Sequence, residues 1–274
     1  MIDNMNEFLF ERLSFYLNDY SSFITEDMIN DYSHIVDFDT REIIIYALAD
    51  LLKLDNYIVE NYLKKTMIEL DENVYKSDLY YKNIKLNNVK NNKWSLKYKS
   101  YKPYELFVYN DIVVDEKGRM IPQIGYFKKE YEYPVICFNN REWMMITPNE
   151  IETMKKPINN AFGNVLTFGL GLGYFAYMAS LKENVNSITV VEIDKDAISL
   201  FKKYILPQFE HKDKIKIICA DAYTFEYDNW YDYVFIDIWH DPSDGTVAYK
   251  YFKDKEKEGI KYDYWIEDTI KCYL

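Results

Sequence analysis

Between Val165 and Ala179 the chain reads as strand, glycine loop and helix, and that succession already limits the folds open to it. Val165 to Phe168 is a short apolar run of the kind that makes a buried strand. Gly169, Gly171 and Gly173 follow at alternate positions, and Tyr174 to Leu181 has helical spacing. A loop glycine takes positive φ readily and has no Cβ to hold a ligand away. The helix start adds unpaired N–H groups and a partial positive charge. Backbone built this way can approach a phosphate or an adenosyl group closely. Spacing separates the two cofactor classes that use the device. The last position of the dinucleotide fingerprint G-x-G-x-x-G/A falls on Tyr174, which is too large for it. The pattern here is G-x-G-x-G, and an ordinary tight turn is its plainer reading.

Downstream, strand and helix alternate, which predicts a parallel sheet with helices on its faces. Ser187 to Asp194 reads as the second strand and carries Glu192, nineteen residues after Gly173. Asp196 to Tyr204 is the next helix, Ile215 to Ala222 the third strand, and Tyr231 to Asp237 the fourth. Ligand groups in such sheets gather at the carboxyl ends of the strands. Those ends offer the glycine loop, Glu192, Asp221 and Asp237. A carboxylate after the second strand can accept from both ribose hydroxyls. Asp221 can accept from the exocyclic amine of adenine, and Asp237 sits where a reactive group would lie. Acids commonly end strands for no catalytic reason, so it is the ordered set that points to an adenosyl ligand. After Asp241 no convincing fifth, sixth or seventh strand is legible. The expected fold is therefore α/β, a doubly wound, Rossmann-like, mainly parallel sheet abbreviated at its C-terminal side, with an N-terminal helical and β-hairpin unit.

From Val165 to about Asp241 this order resembles the class I methyltransferases that depend on S-adenosyl-L-methionine (SAM), in their spermidine-synthase-like branch. The resemblance implies SAM as cofactor and a cofactor-binding set of Phe168, Gly169, Gly171, Gly173, Glu192, Ile193, Asp221, Ala222 and Asp237. It places the glycines at the methionine part, Glu192 at the ribose, and Asp221 with Ala222 at the adenine. The family often has an acid where Thr167 stands; spermidine synthases lack it too. Their glycine loop, however, usually carries Asp at the place of Leu172. Their fourth strand ends in Asp-x-x-Asp-Pro, one residue shorter than Asp237-Ile-Trp-His-Asp241-Pro242. No polyamine-binding Tyr/Glu motif is legible near 149–156. The same run resembles the Asp-His-Trp-Lys-Asp of catechol O-methyltransferases, with His240 at the lysine position. Histidine is a credible base near neutral pH. The catalytic candidates are thus Asp237, His240 and Asp241, with a turn histidine as the plainer reading of His240. Trp239 is either pocket wall or core. No metal is expected, because no Asp-Asn pair stands where that site takes its other ligands.

The rest of the chain sets the context. A net charge of −12 argues against a nucleic-acid backbone as the main partner. Cys137, Cys219 and Cys272 share no metal-type spacing and read as reduced, buried thiols. No basic region followed by an apolar core opens the sequence, and Ile43 to Leu54 is too short to span a bilayer. A cytoplasmic protein away from membranes is expected. Three regions are expected: residues 1–75 helical, 76–148 mixed with a β-hairpin, and 149–274 the SAM-binding domain. In the first, Asn4 to Leu17 has helical spacing, Thr25 can cap a helix, and Asp39-Thr-Arg-Glu42 is a capping box opening Ile43 to Leu54. Asp55 can cap a further helix, Tyr57 to Leu70. Gln123 to Phe127 and Tyr133 to Asn139 read as a hairpin, with Trp143 to Thr147 as a third strand. Thr147-Pro-Asn-Glu150 reads as a helix start with Glu150 as box partner. The leading functional expectation is methyl transfer to a small-molecule acceptor. An aminopropyltransferase using decarboxylated SAM and a non-catalytic SAM- or nucleoside-binding module are the alternatives. A second copy of the chain, as a homodimer, would cover an open sheet edge.

Overall fold

The computed structural model describes residues 4–274. Contacts divide the chain into two units. One takes the chain up to Val74 together with Ser100–Glu132; the other takes Tyr75–Lys99 and Tyr133–Leu274. The mixed region between the N-terminal helices and the glycine motif thus contributes to both.

The first unit begins with helices α1 (Asn4–Asp19), α2 (Glu26–Ser33) and α3 (Thr40–Leu52). Thr25 Oγ1 accepts from the Met28 N–H at 3.3 Å, and Asp39 forms a complete capping box with Glu42. α1 turns Leu9, Leu13 and Tyr16 inward against Ile44, Ile45 and Leu48 of α3 in one core. Helical turns continue from Asn56 to Thr66, where the chain switches to strand β1 (Met67–Leu70). The expected helix to Leu70 therefore stops short. Arg41 donates to the carbonyls of Lys64 and Met67 and so takes carbonyls that a longer helix would use.

In the second unit β2 (Val89–Asn91) and β3 (Trp94–Tyr101) follow. The chain then gives the first unit β4 (Phe107–Val114) and β5 (Met120–Phe127), which make a sheet in the order β1-β5-β4. β6 (Tyr131–Phe138) and β7 (Arg141–Met145) return to the sheet of β2, in the order β2-β3-β6-β7. The hairpin expected between 123–127 and 133–139 does not form, because those runs lie in different sheets. The linking Lys128-Lys-Glu has no residue suited to positive φ, which tight hairpins require. The real hairpins do have such residues. β4 and β5 are joined through Gly118 at φ +75°, and β6 and β7 through Asn139 and Asn140 at +50° and +67°.

The third sheet carries the glycine motif. α4 (Pro148–Asn160) leads into β8 (Gly163–Phe168), and α5 (Tyr174–Ser180) crosses to β9 (Val185–Glu192). α6 (Lys195–Leu200), extended by a wider turn to Ile205, crosses to β10 (Ile215–Cys219). β11 (Tyr233–Ile236), α7 (Pro242–Lys253), β12 (Lys261–Tyr264) and α8 (Glu267–Cys272) complete the chain. The sheet order is β10-β9-β8-β11-β12, parallel throughout. Leu166, Phe168, Val191, Val234 and Ile236 pack with Ala248, Tyr249 and Phe252 of α7 in one core.

β12 is a fifth strand where the sequence showed no convincing one, only a stretch from Tyr262 that could be extended at its start. Its four residues Lys-Tyr-Asp-Tyr look polar, yet Asp263 is buried. It accepts from Tyr233 Oη at 2.7 Å and Asn160 Nδ2 at 2.8 Å, which is what makes an acid tolerable in that strand. No sixth or seventh strand extends this sheet among the described residues. Cys137 and Cys272 are buried, but Cys219, at the end of edge strand β10, is exposed, contrary to expectation. No helix among the described residues is long and apolar enough to cross a membrane.

Candidate functional site

The carboxyl end of β8 is knitted to both neighbours. The Gly169 N–H donates to the Val191 carbonyl at 2.9 Å, and the Asp237 N–H to the Phe168 carbonyl at 3.0 Å. The glycine loop thus springs from the middle of the sheet, between the ends of β9 and β11. Gly169, Gly171 and Gly173 have φ of +98°, +49° and +75°. The chain itself fills the room a Cβ would need. A Cβ on Gly169 would collide with the Asp237 carbonyl oxygen and one on Gly173 with the Phe201 ring, while one on Gly171 would stand 3.1 Å from Met144 Sδ. These glycines are therefore required first by the folding of the loop. What the loop offers a ligand is backbone N–H. The Gly171 N–H has no partner among the described residues. The Leu172 N–H meets only the Met144 thioether, at 3.3 Å. Tyr80, fully buried, fixes the loop from below by donating to the Leu172 carbonyl at 2.6 Å. Tyr174 donates to Asp78 at 3.0 Å.

Glu192, at the end of β9, accepts from the Leu170 N–H at 3.2 Å and from the Asp194 N–H at 2.8 Å. Burial pushes its carboxyl up. It ties the glycine loop to its own strand and keeps lone pairs for a further donor. Beside it Ile193 is 65% exposed, an apolar side chain left in water next to acids. The Ala220 N–H donates to the Glu192 carbonyl at 3.0 Å, which brings Asp221 and the half-buried Ala222 to the same sheet end. Asp221 is half-buried and its Oδ1 accepts only from the Tyr223 N–H, at 2.9 Å. These features fit an adenosyl group: unpaired amide at the loop, acids with free lone pairs, and an exposed apolar face between them.

The three catalytic candidates differ sharply. Asp237 follows β11, and its carboxylate makes no hydrogen bond among the described residues. Burial pushes it up to about 7. His240 is exposed; its N–H donates to the Asp244 carboxylate at 3.2 Å and its ring stacks on Trp143, centroids 6.0 Å apart. Asp241 caps α7, accepting from the Ser243 N–H at 2.7 Å and Ser243 Oγ at 2.5 Å, and these bonds hold it below the usual carboxylate range. Of the three, only Asp237 has an uncommitted carboxylate. Trp239 is core: it is 6% exposed and packs over Gly245 and Ile270.

The structure adds Glu150. Thr147 caps α4 without a side-chain bond, and the expected capping box is absent. Thr147 and Pro148 are themselves buried, so the first turn faces inward and carries Glu150 with it. Glu150 is 6% exposed, and its Oε1 has no partner. Burial first, and the Asp237 charge second, raise it well above the usual carboxylate range. The capping-box pattern concealed it, since a glutamate three residues after threonine reads the same whether it points out or in.

Residues 143–271, which begin on β7 and include the whole parallel sheet, match the family Spermine/spermidine synthase domain. This stretch has a class I methyltransferase-like fold. That fold serves SAM-dependent methyltransferases and aminopropyltransferases alike. No curated protein matches the chain. Among solved structures, the spermidine synthase from Thermotoga maritima is similar at 18% identity and a TM-score of 0.35, covering 48% of this chain and 49% of that one. A DhpI–SAM–HEP complex is similar at 18% identity and TM-score 0.31, covering 41% and 51%. The 23S rRNA methyltransferase ErmE gives 22% identity and TM-score 0.28, covering 35% and 39%. The chain thus spans about half or less of each of these, and likenesses of this size carry no functional weight.

Proposed function

We propose that the chain binds SAM at the carboxyl ends of β8, β9 and β10 and transfers its methyl group to a small-molecule acceptor beside Asp237. The observation that carries this reading is the convergence of the glycine loop, Glu192, Asp221 and Asp237 at one end of the parallel sheet. The Gly171 and Leu172 amides and Phe168 would hold the methionine end. Glu192 would take the ribose hydroxyls, Ile193 would cover one face of the base, and Asp221 with Ala222 would meet its amino edge. Bound SAM would supply an activated methyl group on a sulfonium. The protein's part is to orient the acceptor in line with that group and to receive any proton the acceptor loses. An Asp237 carboxyl pushed up to about 7 is matched to that second task at neutral pH. His240 and Asp241 would act only by shaping the approach to Asp237.

Aminopropyl transfer from decarboxylated SAM is favoured by the family match over 143–271. Against it stands Leu172, fully buried where the glycine loop of the spermidine synthases usually carries Asp. Product analysis separates the two. With a panel of small amine, hydroxyl and thiol acceptors, methyl transfer yields S-adenosylhomocysteine from SAM. Aminopropyl transfer yields 5′-methylthioadenosine from decarboxylated SAM. We expect the first product, lost in Asp237→Asn; the second product alone would overturn the reading.

A further inference from the structure

The glycine loop is fixed by its backbone contacts, and one methionine lies against it. Tyr80, fully buried, pins the Leu172 carbonyl at 2.6 Å, and the Gly173 N–H donates to the Leu170 carbonyl at 2.7 Å. The Asp237 carbonyl and the Phe201 ring close in on Gly169 and Gly173. The loop backbone is therefore held in place. Met144 is the contact that is not. Its Sδ, Cγ and Cε stand 3.1, 3.2 and 3.5 Å from where a Gly171 Cβ would be, and its Sδ accepts from the Leu172 N–H at 3.3 Å. β7 brings it there through a bulge. Ile136 pairs with Met144 but Cys137 with Glu142, so β7 carries one residue more than β6, and Trp143 is the extra one. Bulges re-aim side chains; here Trp143 turns to His240, ring centroids 6.0 Å apart, while Met144 lies on the loop. A thioether is a weak acceptor on a flexible side chain, so it is the part of this contact that can yield.

We propose that Met144 is a specificity-determining residue: its sulfur holds the Leu172 amide in the unliganded chain and gives it up only to a ligand whose amino-acid carboxylate takes its place. The proposal rests on the SAM reading above, in which the Gly171 and Leu172 amides meet the methionine end. A carboxylate makes hydrogen bonds roughly twice as strong as a neutral acceptor does, and so displaces the sulfur. The Gly171 N–H, which has no partner among the described residues, joins the same carboxylate. Decarboxylated SAM and 5′-methylthioadenosine have no anionic acceptor for these amides and leave Met144 in place. Met144 thus lowers the affinity for SAM and S-adenosylhomocysteine by the strength of one weak hydrogen bond. It leaves the adenosine end, assigned to Glu192 and Asp221, untouched.

The test is calorimetry of SAM, S-adenosylhomocysteine, decarboxylated SAM and 5′-methylthioadenosine on the wild-type chain and on Met144→Leu, which nearly keeps the volume and removes the acceptor. SAM and S-adenosylhomocysteine should bind the variant about threefold tighter, the scale of one neutral hydrogen bond. The two ligands without the carboxylate should bind it as they bind the wild type. Met144→Ala, which removes the bulk as well, should move the ratio between the two classes in the same direction. Urea unfolding checks that both variants are folded. Carboxylate-bearing ligands that bind Met144→Leu no better than the wild type, or a gain shared equally by all four ligands, would overturn the proposal. Binding of none of the four to the folded wild type is a different failure: it would sink the cofactor reading, and the proposal with it.

Discussion

Replacing Asp237 with asparagine should stabilise the folded chain above neutral pH while removing the carboxylate proposed to serve the reaction. The ordinary value of this carboxyl is 3.8, and burial raises it to about 7 in the folded chain. Between those values the folded chain holds a proton that the unfolded chain does not, so stability falls as pH rises through that window. Below it both states are protonated and nothing is lost; above it both are ionised and the full loss persists. At about 1.4 kcal/mol per pH unit over roughly three units, the loss is at most about 4 kcal/mol. Partial exposure of the side chain brings it nearer about 2 kcal/mol. Asp237→Asn also removes the charge that raises the Glu150 carboxyl, which adds to the variant's advantage at the higher pH. Urea unfolding of wild type and Asp237→Asn at about pH 4 and about pH 8 reads that difference directly. It should be near zero at the lower pH and favour the variant at the higher. A difference that is the same at both values, or one that favours the wild type at the higher, would refute the reasoning that burial strains this carboxylate.

Four further outcomes are expected. Gly169→Ala adds a left-handed penalty of about 1–2 kcal/mol to a collision with the Asp237 carbonyl, so chemical denaturation should show a loss above about 2 kcal/mol. Asn140→Gly, at φ +67° in the β6–β7 turn, should raise stability by about 0.5 kcal/mol in the same assay. Tyr233→Phe removes a fully buried hydroxyl from Asp263 and from the Pro157 carbonyl and should cost about 1–3 kcal/mol of thermal stability. Asp221→Ala gives up one bond to the Tyr223 N–H, so it should cost about 1 kcal/mol of stability or less and weaken SAM binding by at least about tenfold in calorimetry.

The sequence was legible where one period and one ligand geometry coincided. Val165–Phe168, the three glycines, Glu192 and Asp237 follow from the alternation of strand and helix and from where such sheets place their strand ends. The same logic failed where the local pattern had two meanings. Glu150 satisfies the spacing of a capping box, and only the burial of Thr147 and Pro148 decides that it turns inward. β12 looked polar because Asp263 is stabilised by partners distant in sequence, Tyr233 and Asn160. β5 and β6 are adjacent in sequence and both apolar, and only the absence of a turn residue between them signals that they part. Met144, which fills the space beside Gly171, carries no sequence signal at all, since its contact depends on how the β6–β7 hairpin meets the glycine loop.

The proposed function rests on an adenosyl site at the carboxyl ends of β8, β9 and β10. Calorimetric titration with SAM, S-adenosylhomocysteine and decarboxylated SAM, beside Asp221→Ala, tests it most directly. SAM and S-adenosylhomocysteine should bind, SAM better than its decarboxylated form, and both should weaken in the variant. A folded sample that binds none of the three would contradict it.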